Sequence, residues 1–233
     1  MKRKQSHIAM HALAMVCCGC LMAGCGRPDK PAGGTRPANV PPAGGARKAA
    51  ASQAPSVPSP PVVAAARSQV GRTTIYDPAY VRLAYPLGDV PIDRGVCTDV
   101  VTRALRDGLG MDLQARVHED MKASFASYPN TWGLSRPDPN IDHRRVPNVQ
   151  RYFQRKGWAL PVTSAAGDYL PGDIVTCTVP PNRPHIMIVS DRKNSRNIAL
   201  VIHNIGSGAR EEDGLFEFPL TGHYRVPAHY TKN

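Results

Sequence analysis

Three side chains in this sequence are of the types that cysteine–histidine catalysis uses: Cys97, His185 and His203. Such chemistry needs a thiolate, an imidazole to take and return its proton, and a third group to orient that imidazole. Cys97 opens an amphipathic pattern in which Val96, Val100, Val101, Ala104, Leu105 and Leu109 recur at three-and-four spacing. It therefore falls in the first turn of a helix. Unpaired N–H groups and the positive end of the helix dipole are expected there to favour a thiolate and to lower the thiol pKa below its usual ~8.5. On the alternative reading, Cys97 is a small buried apolar residue.

The histidines lie in a predicted hairpin. If it is symmetric about Asn194, His185 sits directly opposite His203 on one face, with Cβ atoms roughly 4.5 to 5.5 Å apart. A slip of one residue puts Asn204 opposite His185 instead, which makes Asn204 the alternative third member. Cys97, His185 and His203 are also able to ligate zinc, but we assign no metal and no cofactor. His118-Glu119 does not make a metalloprotease motif, because position 122 is Lys rather than the second His.

Further polar candidates surround these three. Asp99 is placed to position a substrate amine or, alternatively, to stabilise the first helical turn. His143, Arg144 and Arg145 form a dense polar cluster, and the arginines suit a substrate carboxylate or phosphate. The alternative for them is a solvated face or an internal ion-pair network.

The elements that must position these groups read as helices followed by strands. A short Ala-rich helix is expected over Val62 to Val70, then the Cys97 helix, with Gly108 and Gly110 near its end. Asp112 is expected to cap a helix from about Leu113 to Ser127, and another runs from about Pro147 to Lys156. Strands are expected over Ile174–Val179, His185–Ser190 and Ile198–His203, with Leu215–Phe218 and His223–Val226 adding one or two more. That order predicts an α+β domain with its helices packed against an antiparallel sheet.

Upstream of this domain the composition changes. No Phe, Trp or Tyr precedes Tyr76, so the core must lie downstream. Met1 to Gly24 reads as an export signal: Lys2, Arg3 and Lys4 are followed by an apolar run from Ile8 to Ala23. Leu21-Met22-Ala23-Gly24-Cys25 resembles the lipobox of bacterial lipoproteins and implies lipidation at Cys25, with Cys20 a weaker acceptor. Gly26, not Asp, after Cys25 implies sorting to the outer membrane of a Gram-negative bacterium. Residues 25–61 then form a Pro/Ala/Gly tether, too poor in large apolar groups to offset the entropy of ordering. The folded domain is expected over 62–233.

The tether and signal carry most of the charge. Residues 1 to 66 hold eight Lys and Arg against Asp29, a net of +7, which leaves +4 of the chain's +11 for the rest. The domain thus has no strong nucleic-acid footprint, while the basic tether suits anionic lipid heads or wall polymers. Four of the six cysteines (17, 18, 20 and 25) lie in the signal and lipobox. For the other two, Cys97 and Cys177, the compartment rule offers a disulfide as the alternative, against which Cys177 lies inside a predicted buried strand while Cys97 opens a helix.

Four motifs occur in order: Gly95-Val96-Cys97-Thr98-Asp99-Val100-Val101, Gly172-Asp173-Ile174-Val175, His185-Ile186-Met187-Ile188-Val189 and Val201-Ile202-His203-Asn204. In these the chain resembles the NlpC-type cell-wall peptidases of the papain-like, CHAP-related superfamily. The stretch from about Val70 to Val226, with Asp142-His143-Arg144-Arg145-Val146 and Gly222-His223-Tyr224-Arg225, is similar to a bacterial domain-of-unknown-function family within it. The resemblance implies Cys97 as nucleophile, His185 as base and His203 as third member. It departs at Val-Cys-Thr-Asp, where Asp-Cys-Ser-Gly is usual, and in the long insert from Leu113 to Arg145. The expected function is a lipid-anchored, periplasmic cysteine hydrolase that cleaves an amide bond in the peptide stem of peptidoglycan. The alternative is a non-catalytic wall-binding or envelope-assembly lipoprotein on the same scaffold.

Overall fold

The computed structural model describes residues 58–227. The export signal, the lipidation candidate Cys25 and most of the tether lie outside the described residues. The helices are α1 (Pro61–Arg67), α2 (Cys97–Leu109), α3 (Leu113–Ala123) and α4 (Val146–Arg155). The strands are β1 (Ile75–Tyr76), β2 (Arg94–Gly95), β3 (Ala159–Leu160), β4 (Ile174–Val179), β5 (Arg183–Lys193), β6 (Ala199–Asn204), β7 (Ala209–Glu212) and β8 (Leu220–Tyr224). β1 and β2 form a short parallel ladder. The other six form an antiparallel sheet in the order β3-β8-β4-β5-β6-β7. This is an α+β fold, as the order of elements predicts.

α2 is the central helix. Asp99 accepts the Val96 N–H at 2.7 Å and so satisfies one of the donors that a helix start leaves unpaired. The helix ends at Gly110, whose φ of 66° is left-handed. Gly108 is not a stop signal: a Cβ there would lie 2.7 Å from Val62 Cα, so it lets α1 and α2 touch backbone to backbone. The loop before α2 is held by Arg103, which is 1% exposed. Its guanidinium grips both oxygens of Asp89 and donates to the carbonyls of Val90, Pro91 and Arg94.

Asp112 caps α3 as expected, accepting the Ala115 N–H at 3.1 Å. The helix stops at Ala123, and Phe125–Ser127 forms a separate 3-10 turn. The polar cluster before α4 folds as a second 3-10 turn, Asp142–Arg144.

The sheet is covered on both faces. Ile174, Ile186, Ile188 and Ile202 pack with the helices, whereas Val175, Cys177, Met187, Val189 and Val201 pack beneath Tyr169 and Leu215. Strands buried on both sides read as continuous apolar runs, which is why their alternation is faint in the sequence. Leu215 to Phe218 is not a strand but a turn whose Leu215 seals the second face. The strand is instead Ala209–Glu212, a poor β-former held by long-range pairing with β6. Cys97 and Cys177 are both free and belong to the clusters on opposite faces of the sheet, so the alternative of a disulfide between them falls.

The β5–β6 hairpin is not symmetric about Asn194. Its register runs Ile188↔Ile202 and Val189↔Val201, then shifts through an irregularity to Lys193↔Ala199. The offset is two residues, so His185 and His203 are diagonal rather than opposite. Because side chains alternate with a period of two, they keep the same face.

Candidate active site

The start of α2 is bonded to β5 and β6 where their mutual pairing ends. Beyond Ile188↔Ile202, Asn204 Nδ2 donates to Gly95 O at 2.9 Å, and the Ile186 N–H faces the Cys97 thiol. Gly95 is required at this junction, since a Cβ would lie 3.0 Å from both Cβ and Oδ2 of Asp99. Cys97 thus lies beside the amide that follows His185. Asn204 is spent on this junction and on the Gly206 N–H, and does not bond His185.

The electrostatic expectation for Cys97 is overturned. Its thiol is 4% exposed, and burial pushes its pKa up to about 12. N–H groups of Ile186, Thr98 and Cys97 itself pull the other way and lose, while Asp99 adds to the rise. Desolvation of a thiolate outweighs the helix-start donors.

His185 and His203 are brought together with a 2.7 Å contact from His185 Nε2 to His203 Nδ1. His203 Nε2 continues to Glu212 Oε1 at 2.8 Å. A carboxylate oxygen only accepts, so His203 carries its proton on Nε2 and offers Nδ1 as acceptor. His185 then donates from Nε2, which leaves its Nδ1 bare. That nitrogen carries no hydrogen bond among the described residues. Burial, then His203 and Arg183, push His185 down to about 3. Burial also lowers His203, against the pull of Glu212. Both rings are neutral at physiological pH, as the tautomer chain requires.

Glu212 was not foreseen. The His203↔Arg210 pairing brings it diagonal to His203 on the same face, and nothing local distinguishes it within Glu211-Glu212-Asp213. An acidic pair at hairpin distance from a histidine is the only signal that points to it.

The remaining candidates separate. Asp99 and Arg144 bond each other through two 3.0 Å contacts, and Arg144 also holds the carbonyls of Ala79 and Asp77. This buried pair anchors the loop around Asp77 to α2. His143 is 1% exposed, lowered to about 4 by burial, and does not line the groove at Cys97. Arg145 does line it, stacked over Trp132 at 4.1 Å. The groove has a volume of about 210 Å³, with Cys97, Tyr76, Pro184 and Val146 on its other walls. Among the described residues no three His, Cys, Asp or Glu side chains are placed to hold a metal ion.

Taken together, a buried thiol opens onto a groove at the start of α2, and one residue before Ile186, whose amide faces that thiol, a neutral imidazole has its tautomer set by a second imidazole and a carboxylate. Those parts suit nucleophilic attack on a carbonyl carbon. A family model described as "Domain of unknown function (DUF1287)" matches residues 63–226, a span that includes all of these groups. A relative from Escherichia coli (strain K12), named "Uncharacterized protein YijF", is 54% identical over 160 residues, covering 69% of this chain and 78% of the relative.

Proposed function

The chain belongs to the DUF1287 family, and we propose that it is a papain-like, NlpC-like cysteine hydrolase that cleaves an amide bond in the peptide stem of peptidoglycan. The observation that carries the reading is the chain from Glu212 through His203 to His185, which leaves His185 Nδ1 without a partner on the residue preceding Ile186, whose amide faces Cys97 Sγ.

With the thiol at about 12 and the imidazole at about 3, the resting pair is uncharged. The thiol proton therefore moves to His185 Nδ1 as sulfur attacks the carbonyl carbon, not before. N–H groups of the first turn of α2 stabilise the oxyanion. His185 returns the proton to the leaving amine, and water then hydrolyses the thioester by the same base. His203 and Glu212 hold the ring in the productive tautomer throughout. The lipobox-like run ending at Cys25 and the tether support a periplasmic site of action at the outer membrane.

The test is incubation of the detergent-solubilised full chain with purified sacculi, followed by fragment analysis. Cys97→Ala is expected to lower fragment release by at least ~10³-fold, about 4 kcal/mol in barrier height. Undiminished release would sink the mechanism.

One observation favours a second reading, a wall-binding or envelope-assembly lipoprotein without catalysis. Cys97 is buried, its pKa is raised, and it makes no hydrogen bond to His185. Iodoacetamide labelling with and without His185→Ala separates the two. A labelling rate that ignores His185 at every pH supports the binding protein.

A further inference from the structure

Away from Cys97, one histidine is buried with half of its ring unused. His118 is 9% exposed, and its Nδ1 lies 2.9 Å from Asp142 Oδ2. That oxygen also takes the Asp138 N–H at 2.8 Å, and a carboxylate oxygen only accepts, so the ring carries its proton on Nδ1. Tyr85 packs edge-on against the ring at 5.3 Å. In the neutral ring Nε2 is therefore an acceptor. It has no hydrogen-bond partner among the described residues and is not sealed from solvent, and His118 lines a cavity of about 530 Å³. Arg82 and Arg136 line the same cavity, and neither makes a hydrogen bond or an ion pair among the described residues. Asp138, the carboxylate on its walls, is already engaged: Oδ2 accepts from the Tyr80 hydroxyl, and Oδ1 from the Asn140 N–H and Nδ2. The walls thus offer two guanidinium groups without counter-charges and one open imidazole acceptor. Like charges gathered at one concave surface attract an anion, and an open acceptor on a buried ring calls for a donor.

We propose that Arg82, Arg136 and His118 form a binding site for a phosphate monoester. The guanidinium groups pair with phosphoryl oxygens. A monoester loses its second proton only near pH ~6, so its monoanion has a P–OH that donates to Nε2. The dianion binds with that one proton on the imidazole instead, opposite Asp142. A phosphodiester, a sulfate or a carboxylate brings no such proton near neutrality, and the shared proton is what selects the monoester. A lipid headgroup and a soluble phosphate ester both present this chemistry. The cavity has no lining residue in common with the Cys97 groove, so the site stands whether or not Cys97 is a nucleophile.

The experiment is titration calorimetry of the full chain in non-ionic detergent and phosphate-free buffer at neutral pH, with methyl phosphate, dimethyl phosphate and inorganic sulfate as the probes. Methyl phosphate is expected to bind about tenfold or more tightly than either of the others, in keeping with the strength of charge-assisted hydrogen bonds. Sulfate controls for charge and dimethyl phosphate for the phosphoryl group. Replacing both arginines (Arg82→Gln with Arg136→Gln) should weaken methyl phosphate about tenfold or more. Both arginines are exposed, so the fold should be kept, which circular dichroism checks. His118→Gln should cut the preference over sulfate to less than about twofold. If that variant unfolds, the arginine variant and the sulfate comparison decide alone. A second pair of probes, glycerol 3-phosphate and dihexanoyl phosphatidate, assigns the source: tighter binding of the phosphatidate supports a lipid headgroup, and equal binding supports a soluble ester. Absence of saturable binding at millimolar methyl phosphate, equal binding of methyl phosphate and sulfate, or an affinity that survives loss of both arginines overturns the proposal.

Discussion

Two histidine–carboxylate clusters are built on the same sheet, and they end differently. His223 Nε2 meets Asp173 Oδ2 at 2.8 Å, and its Nδ1 donates to Pro161 O at 3.2 Å. Arg225 closes on the same carboxylate with two 2.7 Å bonds, the Leu170 N–H adds another, and Tyr169 stacks on the ring at 4.4 Å. Every polar atom of that ring is used, and the cluster ties β8 to the start of β4. The His185–His203–Glu212 chain has the same ingredients but stops at a nitrogen without a hydrogen-bond partner among the described residues. A buried histidine with both nitrogens engaged is a structural tie, and the one with a free lone pair is the base of the proposed mechanism.

The largest way to sharpen that contrast is Asp173→Ala. It strands Arg225 and His223 together, so unfolding in denaturant is expected to lose about 3 kcal/mol, while fragment release per folded molecule stays within about threefold. A variant of full stability that has lost its activity would exchange the roles of the two clusters.

Glu212→Ala should do the reverse. Glu212 is 39% exposed, so stability should change by less than about 1 kcal/mol. Removing the acceptor frees the tautomer of His203, and turnover is expected to fall about tenfold or more with little change in KM. Unaltered turnover would detach the carboxylate from the relay.

The smallest effect near neutrality is the pH dependence of stability. His185 is held to about 3 when folded but titrates near its ordinary ~6.5 when unfolded. Between those values the unfolded chain binds the additional proton, so stability rises with pH across the window and is lost on acidification from about 6.5 towards 3. His143, held to about 4, adds in the same direction. His185→Gln should flatten the slope by up to one proton, read from denaturation midpoints across pH. A slope unchanged by the substitution would mean that His185 is not buried as a neutral ring.

The contrast also shows how far the chain could be read before its fold was known. The Cys97 helix, the Asp112 cap and β4 with its limits at Ile174 and Val179 follow from local spacing and were legible. The shared face of His185 and His203 survived a wrong register because a two-residue shift preserves alternation. β7 was not legible, since Ala-Arg-Glu-Glu has no strand pattern and is held by its pairing with β6. Glu212 was missed with it. Asp99 and the His143-Arg144-Arg145 cluster were each picked out as polar candidates, but no sequence rule pairs Asp99 with Arg144 or separates the arginine that is saturated from the one that is not.

By itself, the sequence determined which residue types are present, which elements carry them and which face of an element each one takes, because those depend on neighbours a few positions away. Only the tertiary structure decided that Cys97 is an uncharged thiol, that Glu212 completes the imidazole chain, and that Arg145 rather than Arg144 is left without a partner. Those outcomes depend on desolvation and on which distant groups arrive at the same place. Such quantities follow from the packed chain and from no local stretch of it.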